Sequence, residues 1–128
     1  MTEKTVVGKL GEDLACAYLV SKGYRVLSRN YRKPWGEIDI VAQARDSTLV
    51  FVEVKTLKQS SEDSLAPEDH LNASKLKKFR KICQTFVSHN PDLLNERRGW
   101  RMDLVAIAIK NTPPTSGGDT SISHYENI

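Results

Sequence analysis

The chain has 128 residues, of which 39% are hydrophobic and 27% charged, and its formal net charge is +3 at pH 7. These values are ordinary for one soluble domain, residues 1–128. The longest apolar runs, residues 49–52 and 104–109, are much shorter than the roughly 20 residues that span a bilayer, so no membrane partner is predicted. Two cysteines and no apolar signal segment exclude a disulfide framework and a zinc cluster, and they predict a cytoplasmic setting.

The hydrophobic pattern predicts two helices and at least four strands. Apolar residues repeat at three and four positions in the helices and enrich the strands in valine and isoleucine. In chain order, the prediction is a helix at 6–22 ended by Gly23, strands at 24–31, 37–42 and 49–56, a helix at 71–89, and a strand at 100–109, with 122–128 left open as a short edge strand. Residues 57–69 are predicted to form a mobile loop and 111–121 a flexible linker. The predicted class is α/β, a sheet flanked by two helices in the order α-β-β-β-α-β.

The second predicted strand carries acids among isoleucine and valine. Because side chains alternate along a strand, Glu37 and Asp39 should share one face. Ile38 and Ile40 should then share the opposite face. For Glu37 we weigh a ligand role against a turn role and favour the lesser one.

The third strand carries Glu53 and Lys55 on one face, and it forms an antiparallel hairpin with the second. If the turn centres on Asp46, Asp39 and Glu53 are each seven residues away and lie opposite each other. Opposed Cβ atoms are about 4.5–5.5 Å apart, so two acids there repel unless a cation stands between them. Lys55 supplies one such charge, and hard oxygen ligands suit magnesium or manganese. The alternative is a surface ion-pair cluster.

The first helix adds Glu12, which lies at the margin of the apolar stripe. Gly8 precedes it by four residues and Ala15 follows by three, and these small neighbours leave room for a ligand or for the sheet. A solvent-exposed glutamate on an amphipathic helix is the alternative.

These motifs resemble those of the YraN family of bacterial proteins. The resemblance rests on Gly11-Glu12, Gly23-Tyr24, Asn30-Tyr31-Arg32, Gly36-Glu37-Ile38-Asp39 and Phe51-Val52-Glu53-Val54-Lys55-Thr56. The family is similar to a branch of the PD-(D/E)XK nuclease superfamily and, in plan, to archaeal Holliday-junction resolvases. The resemblance therefore implies a restriction-endonuclease-like three-layer αβα core.

The resemblance also implies roles for individual residues. Asp39 and Glu53 match the metal-binding acids of the superfamily, with the Val54 carbonyl as a further metal ligand. Lys55 matches its catalytic lysine, and Glu12 matches the first-helix acid of the resolvase-like branch. The family usually has an arginine after its Val-Lys-Thr. This chain has Leu57 there, so a basic contact at that position is not implied.

Basic residues in two segments are candidates for contact with nucleic acid. They are Lys75, Lys77, Lys78, Arg80 and Lys81 on the second helix, and Arg32 and Lys33 before the hairpin. Clustered lysine and arginine bind phosphate, although a solvated helix face is the alternative. Trp35 is a candidate for stacking on an unpaired base or for a place in the core.

The remaining titratable residues are predicted to be structural or superficial. The three histidines, His70, His89 and His124, show no ligand spacing and are assigned to the surface. Arg97, Arg98 and Arg101 with Asp103 are interpreted as charges at the entry of the last long strand.

The leading functional hypothesis is a magnesium-dependent endonuclease acting on DNA, including branched or damaged DNA in recombination or repair. A non-catalytic nucleic-acid-binding module with the same fold is the second hypothesis. An acid-rich metal-binding structural protein is the third. Analogy with resolvases, which cut two strands symmetrically, leaves a homodimer open.

Overall fold

The computed structural model describes residues 3–58, 72–110 and 120–128. Its elements are α1 (Glu3–Ser21), β1 (Arg25–Lys33), β2 (Gly36–Gln43), β3 (Leu49–Lys58), α2 (Ala73–His89), a 3₁₀ turn at Pro91–Leu93, β4 (Trp100–Ile109) and β5 (Thr120–Tyr125). The predicted α/β class and element order are confirmed, with the edge strand present. Of the predicted loop and linker, residues 59–69 and 111–119 lie outside the described residues.

The five strands form one mixed sheet in the order β1-β2-β3-β4-β5. β3 and β4 are parallel, and the other neighbouring pairs are antiparallel. A parallel pair needs a crossover connection, and α2 lies in the segment between these two strands. None of the described helices is both long and apolar enough to cross a membrane.

Each face of the sheet is covered by one helix, so the domain has three layers and two apolar cores. On one face α1 buries Val7, Ala15 and Leu19 against Ile40, Ala42, Val50, Val52, Val105, Ile107 and Ile109. On the other face α2 buries Phe79, Ile82, Cys83 and Phe86 against Ile38, Val41, Leu49, Phe51 and Met102. Because the sheet is covered on both sides, residues 49–52 of β3 and 104–109 of β4 form continuous apolar runs.

The turn between β2 and β3 is centred where the sequence predicts it. Asp46 Oδ1 accepts hydrogen bonds from the Thr48 amide at 3.0 Å and the Thr48 hydroxyl at 2.6 Å, as an aspartate does in an Asx-turn. The register pairs Ile40 with Val52 and Gln43 with Leu49. This register is symmetric about Asp46, so the predicted hairpin is confirmed over these pairs.

Several predicted boundaries were wrong by a few residues. α1 begins at Glu3 instead of residue 6, α2 begins at Ala73 instead of 71, and β5 spans Thr120–Tyr125 instead of 122–128. β1 extends to Lys33 and contains a register shift between Val26 and Ser28. This bulge explains the imperfect alternation of that segment. The end of α1 was predicted correctly: Gly23, at φ 91°, donates to Val20 and Tyr24 donates to Leu19, which closes a Schellman motif.

The prediction that Ile38 and Ile40 share a face was wrong. Ile38 packs in the α2-side core, whereas Ile40 packs in the α1-side core. The simple alternation of β2 therefore breaks at Asp39, which lies between them.

Candidate metal and nucleic-acid site

Asp39 is buried, with only 8% of its surface exposed. Its Oδ2 atom accepts a hydrogen bond from the backbone N–H of Val54 at 2.8 Å. If the hairpin register continued beyond Ile40 and Val52, Ile38 would lie opposite Val54. The hydrogen bonds between β2 and β3 end at this point, and the carboxylate of Asp39 accepts the Val54 N–H in place of a backbone carbonyl. This contact holds the Asp39 side chain between the two strands.

Glu53 follows Val52, the last residue of β3 that pairs with β2, and it is partly buried. Burial raises the pKa of Glu53 to about 8, and the charge of Asp39 adds to the rise while Lys55 opposes it. Burial also raises the pKa of Asp39 to about 6, against the lowering effect of the Val54 hydrogen bond and with a further rise from Glu37 and Glu12. The two carboxylates are therefore desolvated together, and each disfavours ionisation of the other.

Lys55 and Glu37 line the same cavity as Glu53. In the described part of the chain Lys55 forms no ion pair, although its charge acts on both Asp39 and Glu53. The carboxylate of Glu37 is instead engaged by Arg32, whose Nε lies 3.1 Å from Oε2. Glu37 is thus already paired, as expected for the lesser role.

Glu12 is brought toward the sheet by the glycine that precedes it. A Cβ added at Gly11 would overlap the side chain of Thr56 on β3, so α1 approaches the sheet closely at this turn. Gly8, the other small neighbour predicted to leave room, does not contact the sheet: nothing lies within 4 Å of a Cβ added there. Ala15 is fully buried, as the prediction of small neighbours requires.

The carboxylate of Glu12 is only partly satisfied. Its Oε1 atom is buried and has no hydrogen-bond partner among the described residues. The nearest cation is Arg29, whose Nη2 lies 3.9 Å away and donates at 2.8 Å to Asp13 instead. A buried oxygen without a donor is costly in a folded protein, and a metal ion or its water would relieve that cost.

The donor set fits a hard divalent cation. Asp39 and Glu53 supply carboxylate oxygens, and the Val54 carbonyl faces the same neighbouring strand as its N–H, which meets Asp39. Among the described residues no three acids, histidines or cysteines come together as a ready-made cage. Magnesium keeps several waters and takes one or two carboxylates, so the pair fits this ion better than one that requires a full protein cage.

A cavity of about 210 Å³ opens beside Glu53 on the α2 side of the sheet. The residues around it that carry charge or an exposed ring are Trp35, Glu37, Glu53, Lys55, Lys75 and Lys78. Two lysines of the basic α2 face therefore lie next to two of the predicted site residues, Glu53 and Lys55.

The other predicted nucleic-acid contacts do not line the cavity. Lys77, Arg80, Lys81, Arg32 and Lys33 are all exposed. Three of the predicted cations lie over aromatic rings: Lys81 at 5.2 Å from Trp35, Arg80 at 5.8 Å from Trp100 and Lys33 at 5.5 Å from Tyr31. This arrangement holds the cations beside ring surfaces without neutralising them.

The assignment of His124 to the surface was wrong. Its side chain is 9% exposed, and Nε2 lies 2.7 Å from Oδ2 of the fully buried Asp103. Tyr18 contacts the other ring nitrogen at 3.1 Å. His89 is exposed, as predicted, and His70 lies outside the described residues.

Asp103 accepts hydrogen bonds from two further segments. Arg101 Nε donates to it at 3.0 Å and the Asn127 backbone at 3.0 Å, which confirms a structural role for Arg101. Burial alone would raise the pKa of Asp103, but the hydrogen bonds from His124 and Arg101 outweigh it and lower the pKa. One sequence signal could have revealed this network: an acid inside the most apolar strand needs buried partners.

Comparison with known proteins places the chain in a family. The model of the "Uncharacterised protein family UPF0102" matches residues 11–107. A UPF0102 protein of Corynebacterium efficiens is 32% identical over 99% of this chain and 94% of its own length. Those of Syntrophus aciditrophicus and Caldicellulosiruptor bescii are 38% and 40% identical, over 86% and 80% of this chain and 82% of each relative.

Among solved structures, SfsA of Pyrococcus furiosus in complex with Ca²⁺ is similar over 96% of this chain and 63% of its own, with 15% identity and a TM-score of 0.39. This likeness is too low to carry an argument about the site. The family match and the relatives, in contrast, cover most of the chain at 32% to 40% identity. The chain therefore belongs to the UPF0102 family, the YraN family whose motifs it resembles in sequence.

Proposed function

We propose that this protein is a metal-dependent endonuclease that hydrolyses phosphodiester bonds in DNA. The observation that carries the proposal is the pair of desolvated carboxylates, Asp39 and Glu53, on adjacent strands. Beside them lies Lys55, which forms no ion pair with any described residue. Structural acids are seldom left buried next to one another, because each raises the cost of ionising the other. Perturbed acids in a cleft are typical of functional sites.

Asp39, Glu53 and the Val54 carbonyl are the proposed ligands of magnesium or manganese. When bound, such an ion supplies an activated water and neutralises charge on the scissile phosphate. As an ammonium, Lys55 would orient the attacking water or stabilise the charge that develops on the phosphate, and as a neutral amine it would accept the proton of that water. Glu12, whose Oε1 atom has no donor in the described chain, would accept a hydrogen bond from a water of the site.

The substrate would be held by the basic face of α2, with Arg32 and Lys33 as further contacts. Lys75 and Lys78 line the same cavity as Glu53, so phosphates bound there lie next to the acids. We extend the proposal to branched or damaged DNA in recombination or repair, in a cytoplasmic setting. Two copies of the chain would be needed to cut two strands symmetrically. This extension rests on analogy of fold.

The test is Asp39→Asn, assayed for both cleavage and binding. Asparagine keeps the acceptor for the Val54 amide, but the site loses a negative ligand, so cleavage with magnesium or manganese should fall by orders of magnitude. Binding in chelator should persist or tighten, because one charge that repels phosphate is gone. The matched control is Asp92→Asn, an exposed acid on the 3₁₀ turn, which should cleave as the wild type does.

Two results would contradict the proposal. Wild-type protein that binds DNA but shows no metal-dependent cleavage on linear, single-stranded or four-way-junction substrates would favour the non-catalytic binding module. Full cleavage by Asp39→Asn would remove this residue, and the assigned site, from the mechanism.

A further inference from the structure

Trp35 follows β1 in the connection to β2 and is 44% exposed. Its ring borders the cavity that also contains Glu53 and Lys55. The Lys81 ammonium lies 5.2 Å from the ring centroid, so α2 supplies a cation beside the indole. A half-exposed indole next to charged groups is unusual for a core residue, which would instead be covered by apolar neighbours.

The size of the cavity limits what it can hold. Its volume of about 210 Å³ is below the roughly 300–1,000 Å³ of pockets for drug-sized ligands, so it suits a fragment of one nucleotide. Lys75 and Lys78 border it and supply positive charge that suits a phosphate group. An aromatic ring beside a basic groove is the arrangement by which proteins hold single strands, with bases stacked on the ring and phosphates on the cations.

From this geometry we infer that Trp35 and the cavity form a subsite for an unpaired nucleotide, whose base stacks on the indole while the adjoining phosphate meets Lys75 and Lys78. This inference rests on the proposed function and names its substrate class. A base inside a duplex is stacked on both neighbours, so it reaches the ring only after costly unstacking. The preferred substrate is therefore a single strand, flap or gap, cut next to the unpaired nucleotide, because Trp35 and Glu53 share one cavity.

The experiment compares Trp35→Leu and Trp35→Phe in chelator, using oligonucleotides that carry 2-aminopurine, a base whose fluorescence falls on stacking. Leucine keeps an apolar side chain without a ring, so affinity for single strands should fall by about 5- to 150-fold, the range measured for loss of one stacked base. Phenylalanine should restore most of it. Duplex affinity should be unchanged in both variants, and Val20→Ala, an exposed residue of α1, serves as the control.

DNA and RNA strands of the same sequence are both titrated, because stacking alone does not distinguish their sugars, and the tighter strand identifies the natural one. Quenching of 2-aminopurine by the wild type and its loss in Trp35→Leu support the subsite. Unquenched fluorescence on binding to the wild type, or equal weakening of single strand and duplex by Trp35→Leu, overturns it. Since these measurements contain no metal, failure of the nuclease proposal appears separately, as an absence of cleavage when magnesium is added.

Discussion

Asp39 combines a backbone contact with an unfavourable charge. Its carboxylate accepts the Val54 amide at 2.8 Å, and that bond favours the ionised form. Burial and the neighbouring acids outweigh this bond, because the pKa of Asp39 rises to about 6. The fold therefore tolerates an electrostatic cost that a neutral asparagine would remove while retaining the acceptor. Such a cost is typical of a residue held for binding.

This cost predicts that the metal-free protein loses stability as the pH rises. In the folded state the pKa of Glu53 is raised to about 8 from 4.5, so the folded chain binds more protons than the unfolded chain between these values. The contribution of Glu53 to the free energy of unfolding should thus be fully present below its unfolded pKa of 4.5 and be lost as the pH rises through about 8. Glu53→Gln should flatten this dependence in urea titrations with chelator, whereas the exposed Glu96→Gln should not. A wild-type profile that rises between pH 5 and 8 would contradict the burial of both acids.

At the scale of elements, the position of α1 depends on one close contact with β3. At Gly11→Ala the new methyl group would overlap both Oγ1 and Cβ of Thr56, so rotation of the threonine cannot relieve the clash. We expect a loss of about 1–3 kcal/mol in unfolding free energy, together with displacement of Glu12 and reduced cleavage. Gly8→Ala on the same helix has open space and should stabilise it by about 0.5–1 kcal/mol. If both variants behaved alike, the close approach of α1 would not determine the site.

The basic face of α2 should determine how strongly DNA affinity depends on salt concentration. If Lys77, Lys78 and Lys81 each contact a duplex phosphate, replacing all three with alanine should reduce the slope of log affinity against log salt by about 2.7. The control replaces Lys9 on α1, Lys22 in the turn after it and Arg25 at the start of β1, which are also exposed. It removes the same charge, so a general electrostatic effect would lower both slopes equally. An unchanged slope in the α2 variant would mean that these lysines are solvated and do not contact phosphates.

Across the whole molecule, local patterns predicted the element order and the hairpin, because periodicity, Gly23 and Asp46 act over a few residues. The face of Ile38 could not be predicted, because the Asp39 side chain takes the place of a backbone acceptor between β2 and β3 and breaks the alternation. The burial of His124 could not be predicted either, because its contact with Tyr18 joins residues 106 positions apart. Asp39 and Glu53 each lie next to the last pair of this hairpin, Ile40 with Val52, so their positions on adjacent strands followed from the turn, although the register does not pair them directly.

The Asp103 network should contribute to the stability of the whole domain, because it joins α1, β4, β5 and the C-terminal residues. His124→Ala would leave the buried Asp103 without its 2.7 Å partner and would remove the ring packing against Tyr18 and Tyr24. We expect a loss of about 3 kcal/mol in unfolding free energy, measured in urea. The neighbouring Ser123→Ala, exposed on β5, should change little.

The network lies on the α1 side of the sheet, since Tyr18 packs on the α1-side core, whereas Glu53 and Lys55 border the cavity on the α2 side. Cleavage per folded molecule should therefore survive in His124→Ala at temperatures where the variant remains folded. If His124→Ala instead lost cleavage while its stability was unchanged, this expectation would be wrong. That result would mean that Asp103 and His124 act through the sheet on the acids, and that the site extends across both faces of the fold.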